Sequence, residues 1–178
     1  GRQISKLDKI IKTEAAKISW DWRLLSALIY KESRFEAYAT SRQGTYGLMQ
    51  FMPKTGAKFG VYPNSTPEAQ IEGGVKYLAH LQKTFSDITD LSQRPKFVLA
   101  AYNGGPAHIK DARCVAAHFN EDDKDWHVVA KYLKKLNQPD IYNLDCVQYG
   151  PYNGGAAVNY VQTVLTYYNE WSEIYPEK

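Results

Sequence analysis

Apolar residues recur with a helical period along most of this chain. In Asp21-Trp-Arg-Leu-Leu-Ser-Ala-Leu-Ile-Tyr-Lys-Glu-Ser33, Leu25, Leu28, Ile29 and Glu32 fall at i, i+3, i+4 and i+7, which is one face of a helix. Three of the four are apolar, so that face is expected to pack inward with Glu32 at its end. Residues 4–18 repeat the period through Ile4, Leu7, Ile10, Ile11, Ala15 and Ile18. Pro53 is placed to open a short helix over 53–59, since proline is tolerated in a first turn. Thr66-Pro67-Glu68 reads as an N-cap followed by a first-turn proline, opening a helix to about Phe85. Within it Gly73-Gly74 costs helix propensity and implies that another backbone packs close there. Further helices are predicted over 96–102, 106–118, 126–136 and 156–171. Residues 34–46 and 137–155 read as irregular, and loops as long as the second are functional or tied down. No segment alternates like a strand. The fold class is therefore all-α, a single domain of seven or eight helices.

Composition narrows the function classes. Of 178 residues, 44% are hydrophobic and 23% charged, as in ordinary soluble domains. No run approaches the roughly 20 apolar residues of a membrane helix. The chain starts with Gly and shows no signal peptide, so residues 1–178 are expected to be a domain excised from a longer protein. The net charge of +3 comes without a basic run, which argues against a nucleic-acid partner. Fourteen Tyr and four Trp offer flat faces with polar edges, which suit sugar rings, although most such residues serve the core. The spacing of Cys114 and Cys146 fits neither a zinc site nor a redox pair. In an oxidising compartment they could be bonded, and in a reducing one they would be two thiols.

Three stretches carry candidate chemistry. Glu32 places a carboxyl where water is scarce, which disfavours its charged form and suits a general acid. The plainer reading is a helix-end ion pair. Gly47-Leu-Met-Gln50 combines a glycine that permits close backbone approach with an amide donor and acceptor. Ala101-Tyr-Asn-Gly-Gly105 ends a helix in a phenol and an amide, partners for a carboxylate and a sugar. The acidic run Asn120–Asp125 lacks the glycine and distal glutamate of a calcium loop and reads as a solvated turn. Asp111 and Glu36, the conceivable second carboxylates, are expected on solvated faces.

In this order and spacing the stretches resemble the catalytic domain of lytic murein transglycosylases, a goose-lysozyme-like family of the glycoside hydrolase family 23 type. Glu32-Ser33 with Ser41 nine residues on, Gly44-Thr-Tyr-Gly-Leu-Met-Gln-Phe-Met-Pro53, Ala101-Tyr-Asn103 and Asn159-Tyr-Val161 each match a family motif. The part from Asp111 to Tyr160 looks like the membrane-bound lytic murein transglycosylase F branch. The resemblance implies a lysozyme-like helical domain with a substrate groove. It implies Glu32 as the single catalytic acid and base, with Tyr102 holding its carboxyl. Ser41, Gln50, Met52, Asn103 and Tyr160 would line the groove and bind substrate. It also implies cleavage of the β-1,4 bond between N-acetylmuramic acid and N-acetylglucosamine with closure of a 1,6-anhydro ring, without metal or cofactor.

An ordinary glycosidase needs two carboxylates across the scissile bond, and only one acid lies in a motif here. The alternatives are a goose-type hydrolase, which would need that second carboxylate, and a non-catalytic glycan-binding module. The expected partner is peptidoglycan, for a soluble monomeric domain whose full chain would be membrane-anchored. The implied location is the periplasm or cell envelope, with an outer-membrane anchor as one option. That location predicts a Cys114–Cys146 disulfide, worth ~2–4 kcal/mol if unstrained. Two departures from the family pattern stand out. Ala156 lies where some relatives have Glu, and Thr45 where Ala is usual.

Overall fold

The computed structural model describes residues 2–177, among which nine helices form. They are α1 (Asp8–Lys17), α2 (Trp22–Ser33), α3 (Pro53–Lys58), α4 (Pro67–Thr84), α5 (Arg94–Gly104), α6 (Pro106–His118), α7 (Trp126–Lys135), α8 (Pro139–Tyr142) and α9 (Gly155–Ile174). All eight expected helices are present, and the ninth is the single turn α8, opened by Pro139 inside a segment that reads as irregular. Extended pairing among the described residues is limited to isolated bridges, Thr40 with Tyr46 and Tyr46 with Phe51. No helix among them is long and apolar enough to cross a membrane. The chain divides into two compact units, one comprising residues up to Ala79 and from Thr163 onward, the other His80–Gln162.

In the first unit α1 begins later than its apolar period. The Asp8 carboxylate accepts hydrogen bonds from the Ile4 and Ser5 backbone N–H groups at 3.0 and 2.9 Å, a local alternative that competes with helix. Helix α2 starts at an Asp21 N-cap, whose side chain accepts the Arg23 N–H at 2.9 Å. From Trp22 to Ile29 every residue of α2 is buried, so the helix is covered all round rather than on the one face its period marks. Helix α4 opens on Thr66, whose hydroxyl accepts the Ala69 N–H at 3.2 Å. The close approach expected at Gly73-Gly74 is real. A Cβ on Gly73 would meet the Phe59 carbonyl at 2.7 Å, and one on Gly74 would strike the Met49 side chain.

The buried Arg23 fixes α2 in place. Its Nε and Nη2 donate to the two Asp21 carboxylate oxygens at 2.9 and 2.6 Å. Its Nη1 donates to the Ser172 and Tyr175 carbonyls at the end of α9, at 3.1 and 2.7 Å. Tyr168 adds a hydroxyl donor to Asp21 at 3.1 Å.

The second unit holds α5, α6 and α7, with Phe97, Leu99, Ile109, Val115, Val129 and Leu133 fully buried. Arg113 draws the acidic turn in, donating to Asp87 at 3.2 and 2.5 Å and to Asp123 at 3.1 Å. Asp125 caps α7 by accepting the Val128 N–H at 3.2 Å, and Glu121 accepts from Lys131 and Tyr132. The run expected to be a solvated turn is thus an ordered one. Asp111 departs from its expected solvated face. It is 2% exposed, because its carboxylate accepts the Gln148 and Tyr149 backbone N–H groups, each at 2.9 Å.

Burial pushes the Asp21 carboxyl up, but hydrogen bonds from Arg23 and Tyr168 and the guanidinium charge hold it below its ordinary 3.8. A lowered folded-state value gives stability that is complete above the unfolded value and is lost as pH falls through the folded one. Asp21→Asn should therefore cost roughly 3–5 kcal/mol near neutral pH, as a buried cation loses its charge partner. The gap between variant and wild type should begin to shrink below about pH 4, where Asp21 protonates in the unfolded chain, and close as pH falls through its lower folded value. Urea unfolding at pH 7 and pH 3 measures both, and a gap that persists undiminished at pH 3 would refute the pairing.

Candidate active site

Glu32 sits on the last turn of α2 and is half-buried. Its helix ends directly afterwards because Arg34 and Phe35 adopt left-handed backbone, with φ of 53° and 63°. That reversal sends the chain back as the 36–52 loop, which carries Ser41, Gln50 and Met52.

The loop is held by a chain of hydroxyls. Thr45 Oγ1 donates to Gln50 Oε1 at 2.7 Å, and Ser41 Oγ lies 2.5 Å from Thr45 Oγ1. A hydroxyl has one proton, so with the Thr45 proton given to Gln50, Ser41 must donate to Thr45. Ser41 also accepts the Thr45 N–H at 3.1 Å. The Gln50 amide donates to the Gly47 and Ala39 carbonyls at 2.8 and 3.1 Å. Gln50 itself has φ 52°, a conformation that costs a non-glycine residue energy and that its surroundings must hold. Ser41, Thr45 and Gln50 are half-buried, while Met52 is exposed.

Beneath this loop lies a residue the sequence reading did not single out. Gln70, only 1% exposed, accepts the Leu48 N–H at 2.7 Å and donates to the Ala37 and Ser65 carbonyls, each at 2.9 Å. Gly47 approaches it closely, with φ 85° and space for no Cβ, which would lie 2.5 Å from Gln70 Oε1. The signal was available, since Gln70 precedes Gly74, Leu78 and Leu81 at helical spacing and is the polar member of a buried stripe.

In the second unit Tyr102 and Asn103 lie in the last turn of α5, half-buried and exposed respectively. Gly105, at φ 84°, ends the helix. The Tyr152 hydroxyl occupies the space where Gly104 would carry a side chain, and the Tyr152 ring stacks on His108 at 4.0 Å and 5°. Tyr160 is 4% exposed on α9. Ala156, the departure from the family pattern, is exposed in the first turn of the same helix.

The description "Transglycosylase SLT domain" belongs to the family whose sequence profile matches residues 9–126, a stretch that includes Glu32, Ser41, Gln50, Tyr102 and Asn103. Among curated relatives, the membrane-bound lytic murein transglycosylase F of Desulfosudis oleivorans is 35% identical over 167 residues, 94% of this chain and 36% of that protein. The same-named protein of Pseudomonas fluorescens Pf-5 is 36% identical over 168 residues, 94% of this chain and 34% of that protein. The chain thus spans about a third of the length of these relatives. Two solved structures share the fold. An inactive mutant of the lytic transglycosylase Slt from Pseudomonas aeruginosa superposes with a TM-score of 0.59 at 22% identity, covering 93% of this chain and 24% of that one. The 70 kDa soluble lytic transglycosylase of Escherichia coli gives 0.60 at 21%, covering 94% and 24%.

Gln70→Leu keeps the volume of the side chain but strands the Leu48 N–H and the Ala37 and Ser65 carbonyls. We expect a loss of at least about 1–3 kcal/mol, the cost of one unsatisfied buried group. Urea denaturation measures it, and an unchanged midpoint would show that Gln70 does not support the loop.

Proposed function

This chain belongs to the transglycosylase SLT domain family, and on that premise we propose that it is the catalytic part of a peptidoglycan lytic transglycosylase. The observation that carries the reading is the placement of Glu32. It is a half-buried carboxyl on the last turn of a helix whose residues 22–29 are all buried, inside the stretch the family profile matches. Position matters for a proton donor, which must hold its geometry while bonds change.

In the proposed reaction Glu32 donates a proton to the glycosidic oxygen between N-acetylmuramic acid and N-acetylglucosamine. The resulting carboxylate then takes the proton from the muramic acid C6 hydroxyl as that oxygen attacks the anomeric carbon. The C1–O bond to the leaving sugar breaks, a 1,6-anhydro ring closes, and Glu32 ends protonated as it began. One carboxyl serves both steps, so no second acid across the bond is required. Of the two alternative acids, Glu36 is exposed and Asp111 is committed to backbone N–H groups.

Substrate binding is assigned to Ser41, Gln50, Met52, Tyr102, Asn103 and Tyr160 by the family motifs they occupy. The Ser41–Thr45–Gln50 chain supports this for the first two. With its proton directed to Thr45 and one lone pair taken by the Thr45 N–H, Ser41 presents its remaining lone pair to a donor such as a sugar hydroxyl. The envelope location, with a membrane anchor elsewhere in the full protein, is proposed from the names of the relatives.

Glu32→Gln keeps the shape and removes the proton. Turnover of purified peptidoglycan should fall by at least about 10²–10⁴-fold, with the melting temperature unchanged. Lysis near the wild-type rate would overturn the assignment. Mass spectrometry of the wild-type products should show muropeptides one water lighter than hydrolytic ones. Reducing ends would instead identify a hydrolase.

A further inference from the structure

One side of α6 ties down the long segment between α8 and α9. His108, Asp111 and Cys114 are spaced three apart along the helix, which keeps them on one side of it. Each meets the segment in turn: the His108 ring against Tyr152, the Asp111 carboxylate against Gln148 and Tyr149, and the Cys114 thiol against Cys146. The two cysteines are half-buried thiols within electrostatic reach of each other. The segment they hold goes on to line a hollow with Pro151, Tyr152 and Asn153, together with Asn137.

We propose that Cys114 and Cys146 are a disulfide-forming pair, and that their bond staples the segment bearing Tyr149 and Tyr152 to α6. The reaction is thiol–disulfide exchange with a disulfide-bearing oxidant. The two thiols lose two protons and two electrons, and the oxidant's own disulfide takes them up as two thiols. Cys114 lies one turn beyond Asp111, and Cys146 lies two residues before the Gln148 N–H that Asp111 accepts, so the helix and the segment bring the two sulfurs to the same place. The Asp111 contacts hold Gln148 and Tyr149 while the sulfurs bond.

The timing follows from the environment of Cys146. Burial first, and then the hydrogen bond with Cys114, push its thiol from 9.0 up to about 11. The thiolate is the attacking species, so the folded pair reacts slowly at neutral pH. The bond, positioned by the Asp111 contacts, therefore forms slowly. Once made, it is shielded from reductants by the same burial. Formation relies on the envelope placement proposed above only for its oxidant, since such bonds persist in oxidising compartments.

The test equilibrates the purified chain, unfolded and refolded, in oxidised and reduced glutathione. The sample is then denatured in acid, treated with a maleimide and weighed intact. The expected species takes up no maleimide and is two hydrogens lighter than the fully reduced chain. Two maleimides, or glutathione retained on either cysteine, would overturn the proposal. Stapling has its own readout. Reduction should lower the melting temperature by about 5–15 °C, and the Cys114→Ser/Cys146→Ser variant should show no sensitivity to reductant. A wild-type melting temperature indifferent to reduction would overturn the stapling. None of these readouts uses peptidoglycan, so loss of the transglycosylase reading in the lysis assay would leave the thiol result standing.

Discussion

Burying a helix on every side is possible only if no charge on it is left unpaired. Helix α2 meets that condition through Arg23. Three of its guanidinium nitrogens are committed, two to Asp21 and one to the carbonyls that close α9. Isolated buried ion pairs often add little net stability, but breaking one is costly. Here the pair also has a positional consequence. It locks the first turn of α2, and a rigid helix carries that constraint along its length to Glu32 in the last turn. The acid is thereby held by an interaction at the opposite end of its helix, away from the chemistry proposed for it.

Beyond Glu32 the constraint passes from helix to loop. Three non-glycine residues in the 34–50 stretch hold left-handed backbone. Such conformations persist where the surroundings over-determine them. Gln70 supplies part of that surrounding from below, pinning Leu48, Ala37 and Ser65. The Thr45 hydroxyl supplies another part from within. A loop built this way needs little from its own sequence propensity, because side-chain amides satisfy the backbone groups that a regular element would have satisfied.

How far this was legible follows from what each signal depends on. Helices α2 and α4 were readable because apolar period, cap residues and first-turn proline all act locally and agree. The Gly73-Gly74 pair was readable because a propensity cost in mid-helix needs a packing reason. What escaped depends on partners distant in sequence. Period marks the face of α2 that must be buried and is silent on whether the other faces are covered. Asp111 reads as a surface acid, since nothing near it in sequence shows that two N–H groups from residues 148 and 149 will reach it. Tyr160, expected on a groove wall, is 4% exposed, a degree of burial its neighbours in sequence do not show. The single turn α8 was missed because four residues carry too little period to detect. Among the candidate site residues, the positions of Glu32, Ser41 and Gln50 on a helix end and its following loop were legible, whereas the network joining Ser41 to Gln50 was not.

The two departures from the family pattern have different physical weight. Thr45 adds a hydroxyl between two residues assigned to substrate, and its single proton gives their hydrogen bonds a direction. An alanine there would leave Ser41 free to point its proton elsewhere. Ala156 is exposed in the first turn of α9. A glutamate at that position would gain about 0.3–1 kcal/mol from the helix dipole, and alanine forgoes it. The fold therefore tolerates the second change at small cost. The first is built into the hydrogen bonds of the loop that carries Ser41 and Gln50, so losing the Thr45 hydroxyl would free both side chains to reorient.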